Sequence, residues 1–178
     1  MKAVKRIVIG ITLVVLAATS TCAAVFAVSN NVASDIQRAD TIRANCKAAQ
    51  SVMQRIARSD KSDRLNRGPA YEKMLKLMYS FNARVAANNK SFPELGNITA
   101  KFEKESENFR NDYNQYDDAI NRAIQTDCVN QPVTFYEALV DARTKRALTH
   151  TKEMTLDDLM NQYQRQITKV AKLVGTAR

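Results

Sequence analysis

The chain has 178 residues, 27 of them Lys or Arg against 18 Asp or Glu, for a net charge of +9. Four glycines, three prolines and no tryptophan leave few breakers, and the polar part, rich in Ala, Asn, Gln, Arg, Lys and Asp, favours helix. No run of five like charges occurs and the basic residues are not interleaved with aromatics, which argues against a nucleic-acid-binding face.

No charged residue falls between Arg6 and Asp35. Within that gap, residues 7–28 form an almost wholly apolar run of 22, about 33 Å long as a helix and close to a hydrocarbon core of about 30 Å. Gly10, Thr12, Thr19, Ser20 and Thr21 interrupt it mildly, and the hydroxyls can bond back to the helix's own carbonyls. Lys2, Lys5 and Arg6 precede it with no acid beside them. The positive-inside rule then predicts a cytoplasmic leader at 1–6, a transmembrane anchor at 7–29 and an extracytoplasmic domain at 30–178. No later window is apolar enough for a second crossing.

The same start fits a cleaved secretory signal, with Ala27 and Ser29 at the two positions a signal peptidase reads, which would release the protein after Ser29. The run is longer than the roughly 7–15 residues of a signal core, which favours the uncleaved anchor. Cys22 follows Thr19-Ser20-Thr21 and lacks the Leu and small neighbour of a lipoprotein signal, so it reads as a small apolar membrane residue.

Gly10-Ile11-Thr12-Leu13-Val14-Val15, after a short basic leader, resembles the processing site of type IV prepilins. The resemblance implies cleavage after Gly10 and a pilin-like filament subunit built on a long half-apolar helix. Where that family carries a glutamate, this chain has Val15, which removes the carboxylate that pairs with the next subunit's amino terminus.

The 149 residues from 30 to 178 suffice for one domain with a sizeable core. Three of the 27 basic residues lie in the leader, so this domain keeps 24 against 18 acidic ones, a net charge near +6. Such a balance describes solvated helix faces first, and attraction to polyanionic surfaces such as lipid headgroups, wall polymers or nucleic acid second. From Val32, apolar residues recur at Ile36, Ala39, Ile42, Cys46, Ala49, Met53 and Ile56, a narrow stripe close to a coiled-coil repeat. No Gly or Pro separates it from the apolar run, so one helix is predicted from the membrane to residue 64, with 59–63 fraying and Gly68-Pro69 ending it. Pro69 then suits the first turn of a second helix, with Tyr71, Met74, Leu75, Met78, Phe81 and Val85 on one face up to 87.

Residues 88–96 form the clearest loop. Asn97 is placed to cap a third helix, with the stripe Ile98, Phe102, Phe109, Tyr113, Tyr116, Ile120, Ile124 and Cys128. Glu105 and Ser106 interrupt it, so that turn faces solvent or a polar partner. Asn130-Gln131-Pro132 closes the helix. Thr134 with Glu137, and Thr155 with Asp158, have the spacing of capping boxes. They predict helices at 134–150 and 155–174, unless 150–154 runs on unbroken. The first buries Phe135 or Tyr136, Leu139, Ala142 and Leu148; the second buries Leu156, Leu159, Met160, Tyr163, Ile167, Val170 and Val174. The expected fold is all-α: a transmembrane helix continuing into an elongated antiparallel bundle, with helices near 30–64, 69–87, 97–128, 134–150 and 155–174.

Cys46 and Cys128 both fall on apolar stripes. Outside the cytoplasm they form a disulfide candidate; otherwise they are small core fillers. His150 and Glu153 stand three apart without a further inward ligand, as an exposed histidine near a helix end does. Asp117-Asp118 and Asp157-Asp158 point about 100° apart on a helix and cannot act as a pair on one face. Gly-rich phosphate loops, GxSxG and CxxC are absent. Asn89-Lys90-Ser91 and Asn97-Ile98-Thr99 match the N-glycosylation pattern. Arg143, Lys145 and Arg146 form the one basic edge that suggests recognition.

These features point to a non-enzymatic, single-pass protein of the cell envelope, acting as a scaffold, adhesion protein or envelope-complex subunit. A ligand-binding, sensor-like bundle that works through a partner is the second class. The partners implied are membrane lipid and another helix, from a different protein or a second copy. No cofactor, metal, nucleic acid or small-molecule substrate is indicated.

Overall fold

A computed structural model describes residues 20–88 and 90–175, and the side chains of 36–88 and 90–173. Three helices make up the fold: α1 (Ser20–Ala87), α2 (Pro93–Gln125) and α3 (Pro132–Gly175). Among the described residues there is no strand, so the all-α class is as expected. The leader, Gly10 and most of the apolar run lie outside the described residues, as does Asn89. Among the described residues no helix is long and apolar enough to cross a membrane.

The helix count departs from the sequence reading. α1 does not stop at Gly68-Pro69; Pro69 lies inside it. The cause is the neighbour. On one side of Pro69, Asp60 meets Tyr116 and Arg64 meets Asn114. On the other, Tyr71 stacks edge-on against Phe102 and Phe109, and Tyr79 bonds Glu103. All these partners belong to the single helix α2, in one antiparallel register. Packing on a continuous partner outweighs the bond that proline removes.

Residues 150–154 likewise continue α3. Leu156 is wholly buried, and the Lys152 ammonium reaches Glu105 of α2 at 2.9 Å. Thr155 does not cap: its hydroxyl donates back to the Thr151 carbonyl at 2.9 Å. Thr134 also lies inside its helix, which opens at Pro132. α2 begins at Pro93 rather than Asn97, with Phe92 at the cap position and no side-chain cap bond. Proline at the first position loses no donor there, and buried Leu95, Ile98 and Thr99 anchor the first turns.

α2 is the middle element. α1 and α3 both pack on it and meet each other only sparingly. α3 is antiparallel to α2 and therefore parallel to α1. Three clusters follow the bundle along its length. The one nearest the 88–92 connection gathers Tyr71, Met78, Leu95, Ile98, Phe102, Phe109, Leu156, Leu159, Tyr163 and Val170. The central one holds Tyr113, Tyr116, Ala119, Ile120 and Ala142, and the one at the far end Cys46, Met53, Ala123, Cys128 and Phe135. Between Phe135 and Tyr136, the structure buries Phe135; Tyr136 lies on the surface, with the Arg38 guanidinium 5.8 Å from its ring centre. Leu148 is exposed, contrary to expectation, and so is Ile36 at the lower end of the α1 seam.

The predicted stripe of α2 is buried as read except for the half-buried Ile124; the helix ends at Gln125 and Cys128 sits in the turn beyond. That turn is built on Asp127, whose carboxylate accepts from the Val129 and Asn130 amides at 3.0 and 3.1 Å and from the Asn130 side chain at 2.6 Å. The turn drops Cys128 against α1.

Candidate functional site

Two places in the bundle hold the residues singled out from sequence. The first is the cysteine pair. Cys46 of α1 and Cys128 of the turn are at disulfide distance, with Cα atoms 5.6 Å apart, and both are buried. Gln50, one turn above Cys46, donates to the carbonyls of Ile124 and Thr126 at 3.0 Å each. It satisfies acceptors that the end of α2 leaves open. The Arg43 guanidinium donates to the Val129 carbonyl at 3.2 Å from below. This end of the bundle therefore brings the cysteine pair together beside several polar links.

The second place is a cleft of about 460 Å³ between α1 and α3, floored by α2. Asp60, Asp63 and Arg67 line the α1 wall; Arg143, Arg146, Thr149, His150 and Glu153 line the α3 wall; Tyr113 and Tyr116 form the floor. Two ion pairs cross it. Arg146 meets Asp60 at 2.6 Å, and Arg67 meets Glu153 at 3.7 Å. The crossings are seven residues apart on each helix, or about 10 Å.

The polar groups in the cleft are mostly committed. Burial pushes the Asp60 carboxyl up, but hydrogen bonds from Arg146 and Tyr116, with the Arg146 charge, bring it below its ordinary value. The bond to Asp60 holds the Arg146 guanidinium more firmly charged. Burial raises the Tyr116 phenol, and its bond to the Asp60 carboxylate raises it further. Tyr113 is pushed up to about 12, by burial first and then by the charge of Asp117. The Arg64 guanidinium sits 4.8 Å from the Tyr113 ring centre, a cation–π contact that closes the floor from the α1 side.

The proposed basic edge is thus divided. Arg146 is locked to Asp60, and Lys145 lies 3.4 Å from Asp141 on its own helix. Among the described residues, Arg143 is the exposed cleft cation without a hydrogen-bond or ion-pair partner. His150 is exposed, with Nδ1 3.4 Å from Glu153. Among the described residues no three His, Cys, Asp or Glu side chains converge as a metal set. The Asn97 sequon lies inside α2, with its Thr99 hydroxyl buried and bonded to Leu95 and Asn82.

Sequence reasoning did not identify Asp60, Asp63 and Arg67 as cleft residues. Their spacing of three and four marks one helix face. That face could be distinguished from a solvated one only once α3 was known to lie beside α1. In comparisons with known proteins, the chain matches no family model, no curated protein and no solved structure.

Proposed function

We propose that this chain is a membrane-tethered helical strut, held outside the cytoplasm as a non-enzymatic scaffold or envelope-complex subunit. The observation that carries the reading is the continuity of α1. Among the described residues it runs without a break from Ser20, inside the charge-free apolar stretch, to Ala87. At 1.5 Å per residue its 68 residues span about 100 Å. The helix that would leave the bilayer is the same one on which α2 packs, so among the described residues no loop would separate tether from body. Such a chain carries position and orientation away from a membrane surface.

Three further observations support this reading. The Cys46–Cys128 pair fits an oxidising compartment. Four of the cleft's ionic groups are tied into two ion pairs that join α1 to α3, as suits a load-carrying element. α3 also presents Val133, Tyr136 and Val140 to solvent on one face, with Thr144, Ala147, Thr151 and Met154 continuing it. That charge-free strip is where a neighbouring helix of the complex would seat.

The experiment is photo-crosslinking in intact cells from positions 133, 140 and 151 of the full chain. Discrete adducts of fixed size, with a second copy or another envelope protein, are expected. Adducts to lipid alone, or none from any of the three positions, would contradict the scaffold role.

A further inference from the structure

Once the internal pairs of the cleft are assigned, a small set of groups remains. On the α1 wall, Asp63 is exposed and has no hydrogen-bond or ion-pair partner among the described residues. On the α3 wall, Arg143 is in the same position. On the floor, Tyr113 lines the cavity; its hydroxyl, open to solvent, makes no hydrogen bond to the described residues, whereas that of its neighbour Tyr116 is held on Asp60 at 2.6 Å. One anion, one cation and one phenol therefore face a cleft of about 460 Å³.

We propose that this cleft binds a small zwitterion of amino-acid or short-peptide size, with its ammonium group on Asp63, its carboxylate on Arg143 and a polar group on the Tyr113 hydroxyl. The complement of the leftover groups is one positive charge, one negative charge and one hydrogen-bonding atom. A purely anionic ligand would face Asp60, Asp63 and Glu153, and a purely cationic one Arg67, Arg143 and Arg146; in both cases as many lining charges repel as attract. A zwitterion pairs both free charges without breaking either ion pair that crosses the cleft. Because Asp63 and Arg143 stand on opposite walls, ligands with separated charges fit better than a single α-amino acid. The inference goes beyond the strut reading and does not depend on it.

The test is calorimetric titration of the full chain in mild detergent, near neutral pH. The probes are L-alanine, L-alanyl-L-alanine and 6-aminohexanoate, with N-acetyl-L-alanyl-L-alanine, L-alanyl-L-alaninamide and inorganic phosphate as charge-incomplete controls. At least one zwitterion should bind with a Kd of about 1 mM or tighter. Blocking either terminus should weaken binding about tenfold, the scale of one charge-assisted hydrogen bond. Asp63→Asn and Arg143→Gln should each weaken it similarly. Both residues are exposed and unpaired, so unfolding midpoints should not move. Tyr113→Phe should weaken binding and leave the helical content unchanged. Three results would overturn the proposal: no heat from any zwitterion at about 10 mM, equal binding of a blocked peptide or phosphate, or affinity indifferent to both charge substitutions. None of these results bears on crosslinking from α3, so this proposal and the scaffold reading can fail separately.

Discussion

Arg146 holds Asp60 with two nitrogens, Nε to Oδ2 at 2.6 Å and Nη2 to Oδ1 at 2.9 Å, across 86 residues of chain. Tyr116 donates to the same Oδ2 at 2.6 Å. One carboxylate thus joins α1, α2 and α3 at the middle of the bundle.

Asp60→Asn should lower the unfolding free energy near neutral pH by about 1–2 kcal/mol, because a charge-assisted pair becomes a neutral one while the guanidinium stays half exposed and screened. The pH dependence follows from the direction of the shift. The folded Asp60 carboxyl lies below its ordinary value. Its contribution is therefore full above the unfolded value of about 3.9 and is lost as pH falls through the folded one. Urea unfolding followed by circular dichroism should show wild type and variant diverging at pH 7 and converging below about pH 4. A gap independent of pH would contradict the assignment.

Two buried tyrosines should respond oppositely to loss of the hydroxyl. The Tyr163 oxygen lies 2.7 Å from Asn82 Oδ1 and 3.0 Å from the Met78 carbonyl. Asn82 in turn donates to Thr99 at 2.9 Å, and Thr99 to the Leu95 carbonyl at 2.8 Å. Tyr163→Phe opens this chain and should cost about 1–2 kcal/mol. The Tyr71 hydroxyl is buried without a partner; Arg67 comes close enough to counter the rise from burial, but not into hydrogen-bond geometry. Tyr71→Phe should be neutral, or stabilising by up to about 1 kcal/mol. Denaturant midpoints of the two variants give the comparison.

The cysteine pair closes a loop of 82 residues. The chain-entropy argument assigns such a link about 4.5 kcal/mol. Cys46→Ala with Cys128→Ala should lose that amount less what the packing recovers, and a thiol reductant should destabilise wild type but leave the double variant unmoved. Mass spectrometry of the non-reduced protein should show peptides containing Cys46 and Cys128 linked; two free thiols would contradict the pairing.

At the centre of α1, Gly68 has open space where a Cβ would stand, and Pro69 sits in the helix interior. Gly68→Ala should stabilise by about 0.4–1 kcal/mol. Pro69→Ala should stabilise by up to about 3 kcal/mol, since it restores a donor to the ladder. A loss in either would show that this turn of α1 is not the regular helix described.

Much of this bundle was legible in the sequence because spacing alone marks a buried face. Phe102, Phe109, Tyr113, Tyr116 and Ile120 were readable from their periodicity, and Cys46 with Cys128 from two apolar stripes. Helix ends were less legible. Gly68-Pro69 and the Thr134 and Thr155 capping patterns are local signals; packing along α2 overrode the first and the last, and Pro132 opens α3 two residues before Thr134. The cleft was unreadable for a different reason: Asp60 and Arg146 are 86 residues apart, and nothing local tells a carboxylate which helix will lie beside it.

The central claim is a body tethered to a membrane and standing on its far side. Leu65, 63% exposed on α1, offers the most direct measurement. A Leu65→Cys variant of the full chain, in sealed spheroplasts, is treated with a membrane-impermeant maleimide before and after lysis, with the parent chain as control. The account predicts full labelling before lysis, on protein that stays in the membrane pellet through an alkaline wash. Labelling that appears only after lysis, or labelled protein released from the pellet, would contradict it.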